Sequence, residues 1–371
     1  MQDSVPVTVL TGFLGSGKTT LLRRALTAPE FSDTAVVINE IGEIAIDHYL
    51  VDFVEGEVLE LPGGCLCCAV REDLAETLRS LIERRDRGDI RRFRRIVIET
   101  SGLADPAPVL FTLGTDPMLD QRLRLGRVVT VIDAAAGIAT LDRFAEAARQ
   151  AAVADALVIS KTDLAPFGEE LAARLAALNP DAERIQGAAA TDPAGVLFSP
   201  HPNPPPQARE RAKTPPLLAG EGGTHAAGAG GWGPGAHEAA HSHGIAAYTI
   251  VLDGAVSRLD FARALGGLAM SRGNDLLRVK GIVAFADRPG SDGSGQPAIV
   301  QAAQHAMFAP EWLADWPDCD HRSRLVFVVH EIAAAEIIER FAFAIPSLLG
   351  PQASRLHAGG TQAVRHPAFP E

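Results

Sequence analysis

The sequence is poor in aromatic residues, in cysteine and in long apolar runs. Aromatic side chains make up 5% of its 371 residues, and it contains four cysteines. No apolar run reaches the ~18 residues that a membrane-spanning helix needs. The start Met1-Gln2-Asp3 also lacks the basic residues of a secretory signal. We therefore expect a cytoplasmic protein that has no membrane association.

Positive charge is in deficit as well. The 34 Lys and Arg residues stand against 46 Asp and Glu residues, which gives a formal net charge of -12 at pH 7. A nucleic-acid-binding surface is basic. The arginines between Arg84 and Arg95 are interleaved with Asp86 and Asp89, which is typical of a solvated helix end and turn. We expect no nucleic-acid partner.

The chain is long enough for two domains, because single hydrophobic cores stop growing near ~250–300 residues. In its first half, short runs rich in Val and Ile alternate with helical segments. We predict strands at residues 5–10, 34–39, 58–61, 95–99, 127–132 and 156–159, and helices at 74–85, 145–152 and 169–178. This order predicts an α/β fold over residues 1–197, a doubly wound and mostly parallel sheet with ligands at the carboxyl ends of its strands.

A change of composition separates this domain from the rest. Residues 198–244 are rich in proline and glycine and poor in branched apolar side chains, so they cannot bury enough surface to offset chain entropy. We predict a disordered linker there, a smaller α+β domain over residues 245–345 with a polar turn at 287–296, and a loose tail over 346–371. The predicted strands of the second domain are 246–252, 275–285, 298–303 and 324–330, and its helices are 259–271 and 333–343.

The run Gly12-Phe13-Leu14-Gly15-Ser16-Gly17-Lys18-Thr19 fits the pattern G-x-x-x-x-G-K-[ST]. An apolar segment at 5–10 precedes it and a helical segment at 20–26 follows, as a phosphate-binding loop requires. Backbone N–H groups and the helix N-terminus bind the anion there. Lys18, an exposed loop lysine in this reading, reaches the outer phosphates, and the Thr19 hydroxyl helps to hold Mg²⁺. The sequence predicts a nucleoside triphosphate site that includes Gly12, Gly15, Ser16 and Gly17.

Two more candidates for this site follow predicted strands. Glu99-Thr100-Ser101-Gly102 places Glu99 where P-loop enzymes hold magnesium, and places the Gly102 N–H where it can sense the γ-phosphate. A strand-end turn with a capping serine is the alternative. Asp133 follows another strand and is either a residue of the magnesium shell or a helix N-cap.

Ser160-Lys161-Thr162-Asp163 is one residue away from the guanine-reading pattern [NT]-K-x-D. The aspartate of that pattern accepts hydrogen bonds from N1 and N2 of guanine, which adenine cannot offer, and the lysine stem packs on the base. A base without those donors leaves a polar group unpaired and is rejected. Serine for asparagine keeps Asp163 but removes one amide brace. We expect Lys161 and Asp163 to favour GTP.

Three of the four cysteines, Cys65, Cys67 and Cys68, lie within four residues and follow Gly63-Gly64. This spacing does not suit a structural disulfide framework, and thiolates are soft ligands that favour zinc and copper(I). A helix that begins just after them would favour the ligating thiolate form. We predict a metal site, with buried packing of small thiols or a redox dithiol as the alternatives.

These motifs, together with Asn39-Glu40-Ile41-Gly42-Glu43 and Asp47, resemble the CobW-type P-loop GTPases, a family of metal-handling proteins. Arg278-Val279-Lys280-Gly281 and Arg324-Leu325-Val326-Phe327 are similar to that family's C-terminal domain. The resemblance covers residues 5–195 and 245–345. It implies GTP hydrolysis coupled to delivery of a metal ion, zinc or cobalt, to a client metalloprotein, and it leaves a homodimer open.

Site roles also follow from the resemblance, motif by motif. Lys18, Thr19 and Thr20 are implied to contact phosphate and magnesium, and the three clustered cysteines to hold the transferred metal. Glu40, Glu43 and Asp47 fall in the switch segment, where Glu40 would supply an oxygen ligand or orient the attacking water.

Several features leave alternatives open. Many family members carry a dense histidine run before the C-terminal domain, whereas here His237, His241 and His243 stand in a long Pro/Gly-rich insertion that is either a weak metal site or a featureless linker. Cys319 and His321 are expected at the surface. A P-loop metabolite kinase with structural cysteines, and a nucleotide-gated interaction scaffold without metal, are the rival functions.

Overall fold

A computed structural model of the chain describes residues 4–39, 58–60, 69–186, 192–198, 243–290, 295–317 and 321–344. The first part alternates strands with helices. Its strands are β1 (Val5–Thr11), β2 (Thr34–Asn39), β3 (Val58–Glu60), β4 (Arg95–Thr100), β5 (Leu123–Asp133), β6 (Ala156–Ser160) and β7 (Glu183–Gln186). Its helices are α1 (Lys18–Leu26), α2 (Ala69–Arg87), α3 (Ala107–Thr115), α4 (Pro117–Arg122), α5 (Gly137–Arg143), α6 (Ala145–Ala152), α7 (Glu169–Leu178) and α8 (Pro193–Phe198), with a short 3-10 turn at Pro29–Phe31.

These strands form one sheet in the order β3-β2-β4-β1-β5-β6-β7. Every described pairing within it is parallel. Alternate residues of a strand point to opposite faces, so Val9 and Ile98 lie in one apolar cluster while Leu10 and Val97 lie in the cluster on the other face. Since the strands are parallel, their carboxyl ends share one edge, and the segments that follow β1, β4 and β6 meet there.

The second part is antiparallel. It contains β8 (Ile245–Leu252), α9 (Arg258–Arg272), β9 (Leu276–Pro289), β10 (Gly295–Ala303), β11 (Ala306–Met307), β12 (Glu311–Trp312), β13 (Ser323–His330) and α10 (Ala334–Arg340), with a 3-10 turn at Gly273–Asp275. The sheet order is β11-β10-β9-β13-β8, and β12 pairs with β10. Edge-to-face contacts of Phe261, Phe285, Phe327 and Phe341 fill the core between this sheet and its helices.

The antiparallel sheet packs against helices α3, α6 and α7, which lie on one face of the parallel sheet. Ile245, Leu277, Ala303 and Val328 of the antiparallel sheet belong to the same apolar cluster as the core on one face of the parallel sheet. Within the described ranges, no helix is long and apolar enough to cross a membrane.

The predicted fold class is confirmed, and 34–39, 145–152 and 169–178 match β2, α6 and α7 residue for residue. The predictions missed α3, α4, α5, α8, β7, β11 and β12. The predicted turn at 287–296 is wrong at both ends, because β9 continues to Pro289 and pairs with Gly295 at the start of β10. The predicted helix at 333–343 ends three residues early, at Arg340.

Candidate nucleotide site

The loop between β1 and α1 depends on its glycines. Gly12, Gly15 and Gly17 have φ angles of 141°, 70° and 101°, a region that favours glycine. A Cβ at Gly12 would lie 2.4 Å from the carbonyl oxygen of Val131, so no side chain fits there. Gly17 caps the N-terminus of α1 in the left-handed conformation. The loop is therefore built as an anion cradle ahead of a helix N-terminus.

Lys18 is the first residue of α1, and its side chain folds back under the loop. Its Nζ donates hydrogen bonds to the carbonyl oxygens of Gly12 at 2.8 Å and Phe13 at 3.4 Å. The residue is only 8% exposed, so the expectation of an exposed loop lysine is wrong. The reason is physical: a buried ammonium needs acceptors, and two carbonyls of the loop supply them.

Thr19 and Glu99 come together across the space between α1 and β4. The Thr19 hydroxyl donates to Glu99 Oε1 at 3.1 Å, and Glu99 is 5% exposed. Glu99 is paired with Leu10, near the end of β1, in the parallel register. The Thr19 hydroxyl and the Glu99 carboxylate thus lie together beside the phosphate loop. Thr20, the next residue of α1, is exposed.

The turn after β4 lies against the phosphate loop. A Cβ at Gly102 would approach the backbone nitrogen of Leu14 to 2.7 Å, so glycine is needed for this close approach. At the ends of β4 and β1, just before these segments, the Thr100 hydroxyl donates to Thr11 Oγ1 at 2.8 Å. Gly102, the predicted γ-phosphate sensor, therefore lies in contact with the predicted phosphate-binding loop.

The turn after β6 adjoins the loop from the other side. Ser160 Oγ lies 2.6 Å from the carbonyl oxygen of Ser16 and 3.2 Å from that of Ile132. Serine lacks the amide of the guanine-reading pattern, and its hydroxyl contacts the loop. Lys161 has a φ of 55°, a strained region for a side-chain-bearing residue, and Asp163 is exposed.

Asp133 at the end of β5 partners Lys161. Its Oδ2 accepts a hydrogen bond from Lys161 Nζ at 2.6 Å, and its Oδ1 accepts from the N–H groups of Ala135 at 2.8 Å and Ala136 at 3.2 Å. Partial burial alone would raise the pKa of Asp133, but the bonds from Lys161, Ala135 and Ala136 outweigh it and lower the pKa. Asp133 thus caps the turn before α5 and holds Lys161 of the predicted base-reading motif.

Several predicted residues lie outside the described ranges. These are Glu40, Glu43, Asp47, Cys65, Cys67, Cys68, His237, His241 and Cys319. The cysteines fall between the end of β3 at Glu60 and the start of α2 at Ala69. Since β3 is three strands from β1 in the sheet order, the two strands are about 14 Å apart at ~4.8 Å per strand. The carboxyl end of β3 shares the edge where the phosphate loop lies.

The two predicted candidate histidines that the structure describes, His243 and His321, have protein partners. His243 Nε2 lies 3.0 Å from the carbonyl oxygen of Leu141 in α5. His321 stacks on Trp316 with ring centroids 5.6 Å apart. Among the described residues there is no group of three or more His, Cys, Asp or Glu side chains that could hold a metal ion.

One residue of this region escaped the sequence analysis. Gln150 in α6 is fully buried, and its Nε2 donates to the carbonyl oxygens of Gly102 at 3.2 Å and Ala104 at 2.9 Å. One signal was present in the sequence. The buried residues of α6 are alanines apart from this glutamine, so a polar side chain stands on an apolar helix face.

Comparisons with known proteins agree with this geometry. A family model described as "CobW/HypB/UreG, nucleotide-binding domain" matches residues 6–186. A second, described as "Cobalamin synthesis protein cobW C-terminal domain", matches residues 245–344.

Individual relatives are similar over different lengths. The chain is 30% identical over 342 residues to the zinc chaperone YjiA of Escherichia coli, which covers 92% of this chain and 99% of YjiA. It is 38% identical over 173 residues to zinc-regulated GTPase metalloprotein activator 1 of Schizosaccharomyces pombe, covering 44% of this chain and 40% of that protein. A crystal structure of zinc-bound YjiA GTPase from Escherichia coli has a TM-score of 0.60 at 26% identity, covering 92% of this chain and 99% of that one.

Proposed function

The chain belongs to the CobW family of GTP-hydrolysing metallochaperones, and we propose that its nucleotide site controls zinc held by the cysteine motif. The observation that carries the nucleotide part of the proposal is the convergence of Lys18, Thr19 and Glu99 at the carboxyl edge of the parallel sheet. One cation, one hydroxyl and one carboxylate stand there beside a glycine-built anion cradle. These are the groups that enzymes use to transfer a phosphoryl group to water.

Lys18 is the cation of the hydrolysis step. Its ammonium is held by carbonyls of the loop itself, so it is positioned before the nucleotide arrives. A preorganised charge of this kind stabilises the negative charge that develops on the transferred phosphoryl group. Glu40 is proposed to orient the attacking water, on the resemblance of its segment to the family's switch.

Thr19 and Glu99 fit a magnesium ion. Both side chains offer hard oxygen ligands, which Mg²⁺ prefers. A protein-bound Mg²⁺ ion usually keeps several of its own water molecules. When bound, the ion neutralises charge on the β- and γ-phosphates. The buried Glu99 carboxylate, oriented by the Thr19 hydroxyl at 3.1 Å, is the residue that would hold it.

The base is proposed to be guanine, read by Asp163 and packed on Lys161. The Asp133 carboxylate and the Ser160 hydroxyl fix the turn that presents these residues. Phosphates bind along the cradle from Gly12 through Gly15, Ser16 and Gly17 to Thr20, and Gly102 senses the last phosphate.

Zinc is the proposed cargo, with cobalt as the alternative, and Cys65, Cys67 and Cys68 are its proposed ligands. Clustered thiols stay reduced in the cytoplasm, where disulfides are rare. The motif follows β3, at the edge of the sheet that carries the phosphate loop. A switch segment between β2 and β3 therefore joins the two sites along the chain, and a client metalloprotein is the proposed acceptor.

The reaction type is tested by measuring phosphate release from GTP by the intact protein and by the variant Lys18→Met. Methionine keeps the aliphatic stem, so the fold should survive while the charge is lost. We expect the intact protein to convert GTP to GDP and free phosphate with no added acceptor, and the variant to be at least about a hundredfold slower. Turnover that requires a small-molecule acceptor would favour the metabolite kinase. Unchanged turnover in Lys18→Met would place the active site elsewhere.

A further inference from the structure

Gln150 connects helix α6 to the turn that follows β4. Its side-chain nitrogen donates to the carbonyl oxygens of Gly102 at 3.2 Å and Ala104 at 2.9 Å. The residue is 0% exposed, and the two acceptors lie 48 and 46 residues away in the chain. Because both carbonyls require a donor, they also fix which end of the amide faces the turn.

The turn that Gln150 holds is itself wedged against the phosphate loop. Gly102 is packed so closely under Leu14 that a Cβ would lie 2.7 Å from the Leu14 nitrogen. Within the turn, the Ala104 N–H donates to the Ser101 carbonyl oxygen at 3.0 Å. A shift of Gly102 away from the loop therefore has to stretch the bonds to Gln150.

The helix that carries Gln150 is fixed at both of its sides. The Thr130 hydroxyl of β5 donates to the Gln150 carbonyl oxygen at 2.7 Å. At the C-terminal end of α6, Asn179 Nδ2 donates to the carbonyl oxygens of Ala151, Ala152 and Ala154 at 3.1, 2.8 and 2.9 Å. Gln150 thus extends from a rigid support, which is what a group that sets the position of a loop requires.

The Gln150 side chain also lines a cavity beside the phosphate loop. Gln150 and Ser16 line the same cavity, whose volume is about 40 Å³, together with Phe13 and Leu14. Among the described residues, Gln150 Oε1 and Ser16 Oγ are buried and lack a hydrogen-bond partner. A cavity of this size has room for a water molecule, which needs polar partners of this kind. One water would join the amide to the loop.

We propose that Gln150 is a positioning residue for GTP hydrolysis: it holds the Gly102 turn in register with the phosphate loop, directly through its nitrogen and through a water shared with Ser16. Gln150 does not touch the nucleotide and acts through Gly102. The inference rests on the proposed function, in which the Gly102 N–H senses the γ-phosphate. GDP lacks that phosphate, so the effect of Gln150 is specific to the GTP state.

Gln150→Met tests the proposal, because methionine has a similar length and no donor. We expect kcat for GTP to fall about tenfold and the preference for GTP over GDP to fall about fivefold, with GDP affinity within about twofold of the parent. The matched control is Gln296→Met in β10, which removes another amide that donates to a backbone carbonyl, that of Leu313 at 3.1 Å, away from the helix that supports Gln150. It should lower the thermal midpoint and leave kcat and the GTP-to-GDP affinity ratio unchanged.

Gln150→Glu adds a readout that depends on the donor itself. A buried carboxyl can donate one hydrogen bond when protonated, and it repels both carbonyls when ionised. The nearby charges are Asp105 paired with Arg149 at 3.4 Å, and Asp133 on the cavity wall paired with Lys161 at 2.6 Å. They are present in the parent too, so dividing by the parent's kcat at each pH cancels their titration. That ratio should rise at least about threefold from pH 8 to pH 6 for the glutamate variant and stay flat for methionine.

The outcomes separate the two levels of the account. If the parent protein hydrolyses GTP while Gln150→Met keeps the parent kcat and affinity ratio, the inference is overturned and the proposed function stands. If Gln150→Met does not fold, a flat pH ratio in Gln150→Glu overturns the inference instead, and a rising ratio supports it. If the parent itself releases no phosphate from GTP, the proposed function fails first.

Discussion

Arg278 in β9 donates hydrogen bonds to both carboxylate oxygens of Asp155, at 3.2 Å each, across the junction of the two sheets. Lys280 reaches the same carboxylate at 3.0 Å. The Arg278 and Asp155 side chains are 4% and 2% exposed, so this is a buried ion cluster. Asp155 immediately precedes β6, whose far end carries the Ser160-Lys161 turn. The antiparallel sheet is thereby fastened to the strand that leads to the proposed base-reading residues.

Asp155→Asn should weaken the junction, because it removes the anion that faces the buried Arg278 and the half-buried Lys280. Removing one partner of a buried ion pair costs about 3–5 kcal/mol of the free energy of unfolding. Urea denaturation measures this loss. The control is Glu83→Gln, which breaks an exposed i,i+4 pair with Arg87 at 2.7 Å and should cost less than about 0.5 kcal/mol. Equal losses for the two variants would show that the buried cluster adds nothing to the junction.

The base preference is predicted to depend on Asp163. Its exposed carboxylate can accept hydrogen bonds from N1 and N2 of guanine, donors that adenine lacks at those positions, so GTP and GDP should bind at least about tenfold tighter than ATP, or about 1.4 kcal/mol. Asp163→Ala should erase this difference, whereas Asp89→Ala, at an exposed position after α2, should preserve it. Competition binding with the three nucleotides gives the answer. Equal affinities for GTP and ATP in the parent protein would contradict the guanine reading.

The cap of α4 predicts a pH-dependent contribution to stability. Burial alone would raise the pKa of Asp116, but hydrogen bonds from Arg79 and from the N–H groups of Leu119 and Met118 outweigh it and lower the pKa. A lowered folded-state pKa means that the stabilisation is present above the unfolded value of ~3.9 and is lost as pH falls through the folded value. Asp116→Ala should therefore cost about 1 kcal/mol at pH 7 and less below pH 4.

Ser257→Ala is the matched control for that experiment. Ser257 caps α9 by accepting from the Asp260 N–H at 3.4 Å, and its hydroxyl does not titrate in this range. The free energy of unfolding that Ser257→Ala loses should be the same at pH 7 and at pH 3.5. A pH-independent loss for Asp116→Ala, measured alongside, would mean that its charge plays no part in the cap.

The sequence was a good guide where structure is decided locally. The phosphate loop, β2, α6 and α7 follow from residue order, periodicity and the positive φ angles that glycine allows. Helix α3 was missed because Ala107–Thr115 contains Pro108, Gly114 and β-branched residues, which are weak helix formers. It forms because Val109, Leu110 and Leu113 are buried in the core.

Contacts between residues far apart in the chain could not be predicted from the sequence. Gln150 meets Gly102 from 48 positions away, and Lys161 meets Asp133 from 28 positions away. The burial of Lys18 also depends on how the loop folds over it. A pattern identifies which residue types can do the chemistry, but their supports are chosen by tertiary packing, which a single sequence does not record.

The central claim is that nucleotide state controls the metal site, and cobalt binding with GTP or GDP tests it most directly. Nucleotide can bias metal release only if metal affinity differs between the two states, by a coupling of ~1–3 kcal/mol in typical cases. Thiolate ligands give cobalt a sulfur-to-metal charge-transfer band, which reports binding at Cys65, Cys67 and Cys68. The account predicts different affinities with GTP and GDP, weaker binding as pH falls because each thiol must lose a proton, and no band when all three cysteines are changed to serine. A titration that is identical with GTP, with GDP and in the serine variant would contradict it and leave a nucleotide-gated scaffold without metal.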